Sequence, residues 1–241
     1  MICVETVMGY EGSAVFLPIF PSMGDLIQLS ERIADRSRPN GELARFFVAL
    51  GDPCSYLAAE RVERALGPIE WVPVLGPLSE LGGPDAEAER HLFAAQRMVL
   101  AEREAAALEL PLVEPQRFPM DARTAARAAT YAADAGCGAA FSLALMRLAF
   151  CGGFDISSVP VIEEAAAVAG LSSARVVKAA NDARFDLRLD ATSRGLRMRG
   201  IKSPPAISVG THWFDGPNVV IAALAFSAAH GLMDEPLLPT A

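Results

Sequence analysis

The chain lacks the clusters of cysteine and histidine that form metal and disulfide sites. It has four cysteines and three histidines in 241 residues, with no C-x-x-C pair and no cysteine–histidine group at zinc spacing. Isolated cysteines are typical of reduced thiols in a reducing compartment. We therefore predict no metal site and no disulfide framework. The residues concerned are Cys3, Cys54, Cys137 and Cys151, and His91, His212 and His230.

Positive charge is also in short supply. The chain has 21 Lys and Arg against 29 Asp and Glu, a formal net charge of -8. This balance leaves no basic surplus for a phosphate backbone, so we predict no nucleic-acid partner.

Long apolar runs are missing too. The best candidate for a membrane span, "GCGAAFSLALMRLAFCGG", carries Arg147 near its middle and is better interpreted as a buried helix. The first residues, "MICVETVMGYEG", contain no Lys or Arg and so lack the basic region of a secretory signal. We expect no membrane partner and a cytoplasmic location.

Three common catalytic and phosphate-binding motifs do not occur. There is no G-x-G-x-x-G loop after a strand, no Walker loop and no G-x-S-x-G elbow. Hydrophobic residues make up 52% of the chain and charged residues 21%, which indicates a folded globular protein.

A strand–helix–strand unit begins after residue 42. The apolar run "LARFFVAL" predicts a buried strand, and "DPCSYLAAERVERAL" predicts a helix that ends at Gly67-Pro68. "IEWVPVL" predicts a second strand. The connection is short enough for a right-handed βαβ crossover.

Helical patterns then dominate until the C-terminal part. A long Ala/Glu-rich helix is predicted over 85–110, followed by "ARTAARAATYAADAG", "AAFSLALMRLAF", "VPVIEEAAAVAG", "SARVVKAANDARF" and "RLDATSRGLRMRG". Strand patterns return in "PAISV" and "HWF", before a last helix, "VVIAALAFSAAHG". We predict an α/β domain, 41–80 and 184–241, interrupted by a helical insertion, 81–183. Residues 1–40 form a separate extension, with an amphipathic helix in 22–37.

These pieces, in this order, resemble a known family. The strand followed by "DPCSYLA", the helical insertion and the later "SPPAISV…WFDGPN" are similar to the DsbA-like branch of the thioredoxin superfamily. They are most similar to 2-hydroxychromene-2-carboxylate isomerases and kappa-class glutathione transferases, from about residue 44 to 230. The resemblance implies a thioredoxin-like four-stranded sheet with the insertion after its second strand. Members of the family are often dimers, so a homodimer is a further expectation.

The resemblance also implies a site. In the family, the residues that open the first helix form a C-x-x-C or Ser-Pro-x-Ser pattern facing a cis-proline loop, and a later acidic–basic pair holds glutathione. The matching positions are Asp52 and Ser55, then Pro205, then Asn218 and Val219. We predict Asp52, Cys54 and Ser55 as catalytic residues, and Pro53, Tyr56, Pro204, Pro205 and Asn218 as substrate-binding residues.

Asp52 departs from the family pattern. Dithiol exchange needs an attacking and a resolving sulfur, and this chain has Asp52 and Ser55 at those positions, so we predict no dithiol redox activity there. Repulsion between an ionised carboxylate and a ligand thiolate about 4 Å away would weaken binding of the thiolate by roughly 1–4 kcal/mol. Asp52 thus opposes binding of a thiolate.

Two more departures weaken glutathione binding. The residue before the cis-proline normally pairs with the ligand backbone through its N–H and C=O, but Pro204 has no N–H. At the clamp, Asn218 and Val219 remove the charged partner of the glutathione ammonium. The cofactor implied by the resemblance is glutathione or another low-molecular-weight thiol, and these departures also leave open the absence of any thiol.

Helix capping is a competing interpretation of the motif. Asp is favoured at the N-cap, Pro at the first helical position, and Ser is tolerated at the third, without any chemistry. Cys54 is not explained in this way. A thiol at a helix N-terminus can have a lowered pKa, and Asp52 could act as a general base.

Three functions follow from these patterns. We favour an enzyme of the isomerase or transferase type that acts on a small hydrophobic or aromatic carboxylate between the sheet and the helical block. The alternatives are a catalytically silent binding protein with the same fold and, less favoured, a thiol–disulfide oxidoreductase.

Overall fold

The structure is a computed structural model, and it describes residues 7–8, 14–15, 44–76, 86–216 and 218–232. The chain divides into two compact units, Met1–Gly41 and Glu42–Ala241. In the first, β1 (Val7–Met8) pairs antiparallel with β2 (Ala14–Val15). The helix predicted in 22–37 lies outside the described residues.

The second unit contains a four-stranded sheet and eight described helices. The strands are β3 (Arg45–Val48), β4 (Glu70–Pro73), β5 (Ala206–Val209) and β6 (His212–Asp215). The helices are α1 (Pro53–Leu66), α2 (Ala86–Leu108), α3 (Arg123–Asp134), α4 (Gly138–Phe150), α5 (Val159–Val168), α6 (Ser173–Ala180), α7 (Arg184–Met198) and α8 (Val219–Ala229).

The sheet order is β4-β3-β5-β6. β3 runs parallel to β4, as the predicted βαβ unit requires, and antiparallel to β5, which pairs antiparallel with β6. The described helices between β4 and β5 are α2 to α7. Of these, α2 to α6 lie within 81–183, the range predicted for the insertion, and α7 lies in the segment predicted for the α/β domain.

Successive side chains of β3 point to opposite faces of the sheet, and both faces are buried. Phe46 and Val48 belong to the main core, together with side chains of α1, α4 and α8. Phe47 and Ala49 point to the other face, where they pack with Leu196 of α7. The sheet is therefore a central layer between helices.

One predicted helix boundary is wrong. The stretch "SARVVKAANDARF" is not one helix, because α6 ends at Ala180 and α7 begins at Arg184. The Asp182 carboxylate accepts a hydrogen bond from the backbone N–H of Arg184, which favours a new helix start at this point.

α2 is the element that closes the site described below. Ala94, Met98, Ala101 and Ala105 are buried and recur every three or four residues, so they form one face of the helix, which packs against α1. Arg61 of α1 and Glu104 of α2 form an ion pair of 2.9 Å between the two helices.

Candidate functional site

Asp52 caps α1 at the end of β3. Its Oδ2 accepts a hydrogen bond of 2.7 Å from the backbone N–H of Ser55, and Pro53 occupies the first turn. The capping interpretation is thus confirmed. A carboxylate at this position also interacts favourably with the positive end of the helix dipole.

Arg97 of α2 binds the same carboxylate. Its Nε donates to Asp52 Oδ1 and its Nη2 to Asp52 Oδ2, both at 2.7 Å, and Nη2 also donates to the Pro204 carbonyl oxygen at 2.7 Å. The side chains of Arg97 and Asp52 are only 12% and 15% exposed. One guanidinium therefore joins the start of α1, the long insertion helix and the loop before β5.

Burial and charge act in opposite directions on this arginine. Burial lowers the pKa of Arg97, but the charge and hydrogen bonds of Asp52 raise it, and the net result is a pKa above the ordinary value. Arg97 remains a cation at any accessible pH. Asp52 is consequently half of a bidentate ion pair, the geometry in which such pairs are strongest.

Cys54 is enclosed in the first turn of α1. Its side chain is 3% exposed, and its Sγ lies 3.7 Å from the backbone oxygen of Arg97. Burial and then the negative charge of Asp52 raise the pKa of Cys54 to about 12, although Arg97 opposes them. The geometry therefore does not support the predicted reactive thiolate, because Cys54 is a protonated, enclosed thiol near neutral pH.

The side chains of Ser55 and Tyr56 are also enclosed, at 0% exposure. Ser55 Oγ lies 3.4 Å from the backbone nitrogen of Ala49, at the end of β3. The Tyr56 hydroxyl donates to the Pro111 carbonyl at 3.1 Å and contacts Cys151 Sγ at 3.1 Å, and its ring stacks on Phe150. Tyr56 is a core residue in this structure, which does not support its predicted role in substrate binding.

The loop before β5 contains a cis peptide bond between Pro204 and Pro205. Both prolines are buried, and Pro204 presents its carbonyl oxygen to Arg97. The loop therefore faces the start of α1, with the guanidinium between them. Asn218, in contrast, is an exposed N-cap residue of α8 without a side-chain capping bond, and Val219 is 1% exposed.

A cleft of about 500 Å³ adjoins the Asp52–Arg97 pair. It opens at the carboxyl ends of β3 and β4, where ligands of α/β sheets commonly bind. Its walls come from the start of α1, from α2 and from the segment around a second cis bond, Phe118–Pro119. Asp52 and Pro53 line it, whereas Cys54, Ser55 and Tyr56 do not.

The cleft combines apolar and cationic groups. Leu75, Phe93, Phe118 and Met120 supply apolar surface, and three arginines and one histidine supply cationic or titratable groups. These polar residues are Arg90, His91, Arg97 and Arg123, which are accompanied by the acidic residues Asp52, Glu87 and Asp121. The cleft lining therefore joins apolar surface to three arginines and three carboxylates.

No group of three or more potential metal ligands occurs among the described residues. Within the same residues, no helix is long and apolar enough to cross a membrane.

Sequence reasoning missed Arg97, although a signal was present. On α2, residues 94, 98, 101 and 105 form the buried stripe, and residue 97 lies at its edge. A charged residue that borders an apolar stripe needs a partner, because burying a lone charge is costly. The sequence could thus indicate that Arg97 is paired, but not with which residue.

Comparison with known proteins supports the fold. No family model and no curated protein matches the sequence. Among solved structures, 2-hydroxychromene-2-carboxylate isomerase superposes with a TM-score of 0.60 at 15% identity, over 80% of this chain and 100% of that one.

Two disulfide-exchange proteins are similar as well. A probable DsbA oxidoreductase from Streptomyces coelicolor has a TM-score of 0.53 at 20% identity, over 82% of this chain and 94% of that one. The cytosolic disulfide reductase DsbM from Pseudomonas aeruginosa, solved with GSH, has a TM-score of 0.55 at 17% identity, over 79% of this chain and 99% of that one.

The chain has a thioredoxin-like α/β fold with a helical insertion. Within that class, its fold is that of the DsbA-like proteins and of 2-hydroxychromene-2-carboxylate isomerase, so the predicted fold is confirmed.

Proposed function

We propose that the chain binds a small hydrophobic or aromatic carboxylate in the cleft beside Asp52 and catalyses an isomerase- or transferase-type reaction on it, without dithiol exchange. The observation that carries this proposal is the composition of the cleft, in which aromatic and aliphatic walls meet arginine side chains. The similarity in fold to an enzyme named for an aromatic carboxylate supports it. The cytosolic DsbM among its structural neighbours supports a cytoplasmic location.

Dithiol exchange is disfavoured by the residues at the helix start. The attacking position is Asp52 and the resolving position is Ser55, whose side chain is fully buried. Cys54 between them is enclosed, with a pKa of about 12, so the thiolate that attacks a disulfide is scarce near neutral pH.

Glutathione suits this site less well than a smaller acid. Pro204 has no N–H, and its carbonyl accepts a hydrogen bond from Arg97. The N–H that would pair with a peptide-like ligand is therefore missing, and one of the two lone pairs of the carbonyl oxygen is already in use. A low-molecular-weight thiol, if one takes part, binds by other contacts. The GSH in the DsbM structure supports a thiol site in this fold, although Asp52 here opposes it.

His91 is the residue of the cleft best suited to proton transfer. The two oxygens of Asp52 already accept three hydrogen bonds, from Arg97 and from the Ser55 N–H, so this carboxylate is engaged within the protein. The imidazole of His91 lines the same cleft and is exposed. In the proposed isomerisation, arginine side chains orient the carboxylate, and His91 takes a proton from one atom of the substrate and returns a proton to another, so that the isomer forms with no net gain or loss of atoms.

The second candidate function is that of a binding protein without catalytic activity. It is favoured by one observation: Asp52, Cys54 and Ser55, the residues predicted to be catalytic, are all held in internal contacts. A site of this kind can retain a cleft for a ligand and perform no chemistry.

The test uses 2-hydroxychromene-2-carboxylate and 2-naphthoate, with 2-naphthamide as the uncharged control. We expect both acids to raise the melting temperature and the amide to have no effect, because only the acids engage the arginines. Failure of both acids to bind would reject the proposal.

A measurement of turnover distinguishes the proposed enzyme from a binding protein without catalytic activity. An absorbance change of the chromene carboxylate that is lost in His91→Gln, while binding is retained, identifies an enzyme. Binding without turnover in the unaltered protein identifies the silent function.

A further inference from the structure

The arginines that line the cleft differ in how their donors are used. Nε and Nη2 of Arg97 hold Asp52, and Nη2 also holds the Pro204 carbonyl oxygen, all at 2.7 Å. The charge of Arg97 is therefore balanced within the protein. Arg90 also has a partner of its own. Arg123, the first residue of α3, is different, because its ion pairs involve a single nitrogen of the guanidinium.

Arg123 contacts α7 through Nη1. This nitrogen lies 3.4 Å from Oδ1 of Asp186 and 3.4 Å from Oδ1 of Asp190. Nε and Nη2 of the same side chain have no acceptor within the part of the chain that the structure describes. These two nitrogens carry three of the five N–H donors of an arginine. The side chain lines the cleft and is 32% exposed, so three charged donors are left for a ligand.

The unoccupied edge of Arg123 is the edge that binds carboxylates elsewhere in this protein. Three other arginines each use Nε and Nη2 to hold both oxygens of one carboxylate, at distances between 2.6 and 2.8 Å: Arg97 with Asp52, Arg127 with Asp186 and Arg147 with Glu60. A guanidinium recognises a planar carboxylate through this side-on fork. Among the described residues, Arg123 has the same fork without a carboxylate on it.

A structural role alone does not account for Arg123. The contact between α3 and α7 is already made by Arg127 and Asp186 at 2.6 Å, which is shorter than either contact of Arg123. The position is also unfavourable for a cation, since the first residue of a helix lies at the positive end of the helix dipole. A ligand carboxylate would satisfy the unused donors and balance this charge.

We propose that Arg123 is the specificity-determining residue of the cleft, and that its Nε and Nη2 donate to the two oxygens of the ligand carboxylate. This inference rests on the proposed function and names the side chain that gives the cleft its preference for an acid. Phe118 and Met120, on the segment that leads into α3, supply apolar surface for the ring of the ligand. The Asp52–Arg97 pair is then a neutral part of the wall and not the anion site.

Isothermal titration calorimetry with 2-naphthoate tests this role. Arg123→Gln is expected to raise the dissociation constant at least about tenfold, because hydrogen bonds to a charged group are lost. Arg123→Lys is expected to bind with intermediate affinity, since it keeps the charge and loses the fork. Arg117→Gln is the matched control. Its side chain is 72% exposed and does not line the cleft, so the same change of charge should alter the affinity by less than about twofold.

Reversal of the charge at position 123 distinguishes recognition from a structural role. Arg123→Glu is expected to lose 2-naphthoate and to bind 2-naphthamidine, a planar cation of similar shape that the unaltered protein does not bind. Far-ultraviolet circular dichroism identifies the variants that are folded. Equal affinity of Arg123→Gln and the unaltered protein for 2-naphthoate, or a folded Arg123→Glu that does not bind the amidine, would overturn this inference alone. An unaltered protein that binds no aromatic acid would overturn the proposed function as well.

Discussion

Arg97 and Asp52, which lie 45 residues apart in the sequence, form a bidentate ion pair at the start of the first helix of the thioredoxin-like unit. The same guanidinium binds the carbonyl oxygen of Pro204, 107 residues further along. Three segments of the chain thus meet at one side chain.

Removing the cation should destabilise the protein. Arg97→Leu leaves the Asp52 carboxylate, 15% exposed, without its counter-ion, and the Pro204 carbonyl without its donor. We expect the free energy of unfolding to fall by about 3 kcal/mol in urea titrations. Arg175→Leu, at an exposed arginine of α6, is the control and should change it by less than about 0.5 kcal/mol.

Alkylation should distinguish the cysteines. Iodoacetamide at mildly alkaline pH is expected to modify the exposed Cys151 and the half-buried Cys137 of the native protein, and to modify Cys54 only after unfolding. The reason is that Cys54 is enclosed and its pKa is raised to about 12. Mass spectrometry identifies the order in which the cysteines are alkylated, and rapid labelling of Cys54 in the native protein would contradict the structure.

Replacing the carboxylate should favour a thiol ligand. Asp52→Ser removes the negative charge beside the cleft and frees two donors of Arg97 for a thiolate. We expect the affinity for glutathione to rise about tenfold by calorimetry, equivalent to about 1.4 kcal/mol. The affinity for S-methylglutathione, which has no thiolate, should not change. An equal rise in its affinity would show that repulsion between Asp52 and a thiolate is not the cause.

Tyr56→Phe separates stability from binding. The variant keeps the ring stacked on Phe150 but leaves the Pro111 carbonyl without its hydrogen bond, so we expect a loss of about 1 kcal/mol in stability. Affinity for aromatic acids should not change, because the hydroxyl faces the core. A specific loss of ligand affinity would restore Tyr56 to the binding site.

Acid should weaken the contact between α3 and α7. Hydrogen bonds from Arg127 lower the pKa of Asp186 below its ordinary value of 3.8. A lowered folded-state pKa stabilises the protein above the unfolded value, and this stabilisation is lost as the pH falls through the folded value. The stability difference between the unaltered protein and Arg127→Met should therefore be constant above a pH of about 4 and narrow below it. A constant difference down to pH about 2 would contradict this assignment.

The fold could be predicted from the sequence because its signals are local. Asp52-Pro53 marks the start of α1, Gly67 its end, and the apolar runs of β3 and β4 predict the parallel pair. The site could be predicted only in part. The family resemblance implies that Asp52 lies opposite the proline loop, but the partner of Asp52 comes from the insertion and leaves no local pattern.

The sequence also does not show the direction in which a side chain at a helix start points. Cys54 and Tyr56 follow Asp52 in a motif that suggests chemistry, yet both turn inward once α2 and α4 pack on α1. Tertiary packing decides this, and a single sequence does not record it. Most of the residues that line the cleft, Phe93 and Phe118 among them, lie in the helical insertion and its loop.

The Asp52–Arg97 contact also indicates how this scaffold would respond to redesign. A cysteine introduced at position 52 would lie at a helix N-terminus next to a buried guanidinium, the surroundings that make a thiol strongly acidic and its disulfide strongly oxidising. The start of α1 thus provides surroundings that stabilise a negative charge, which the Asp52 carboxylate carries in this chain.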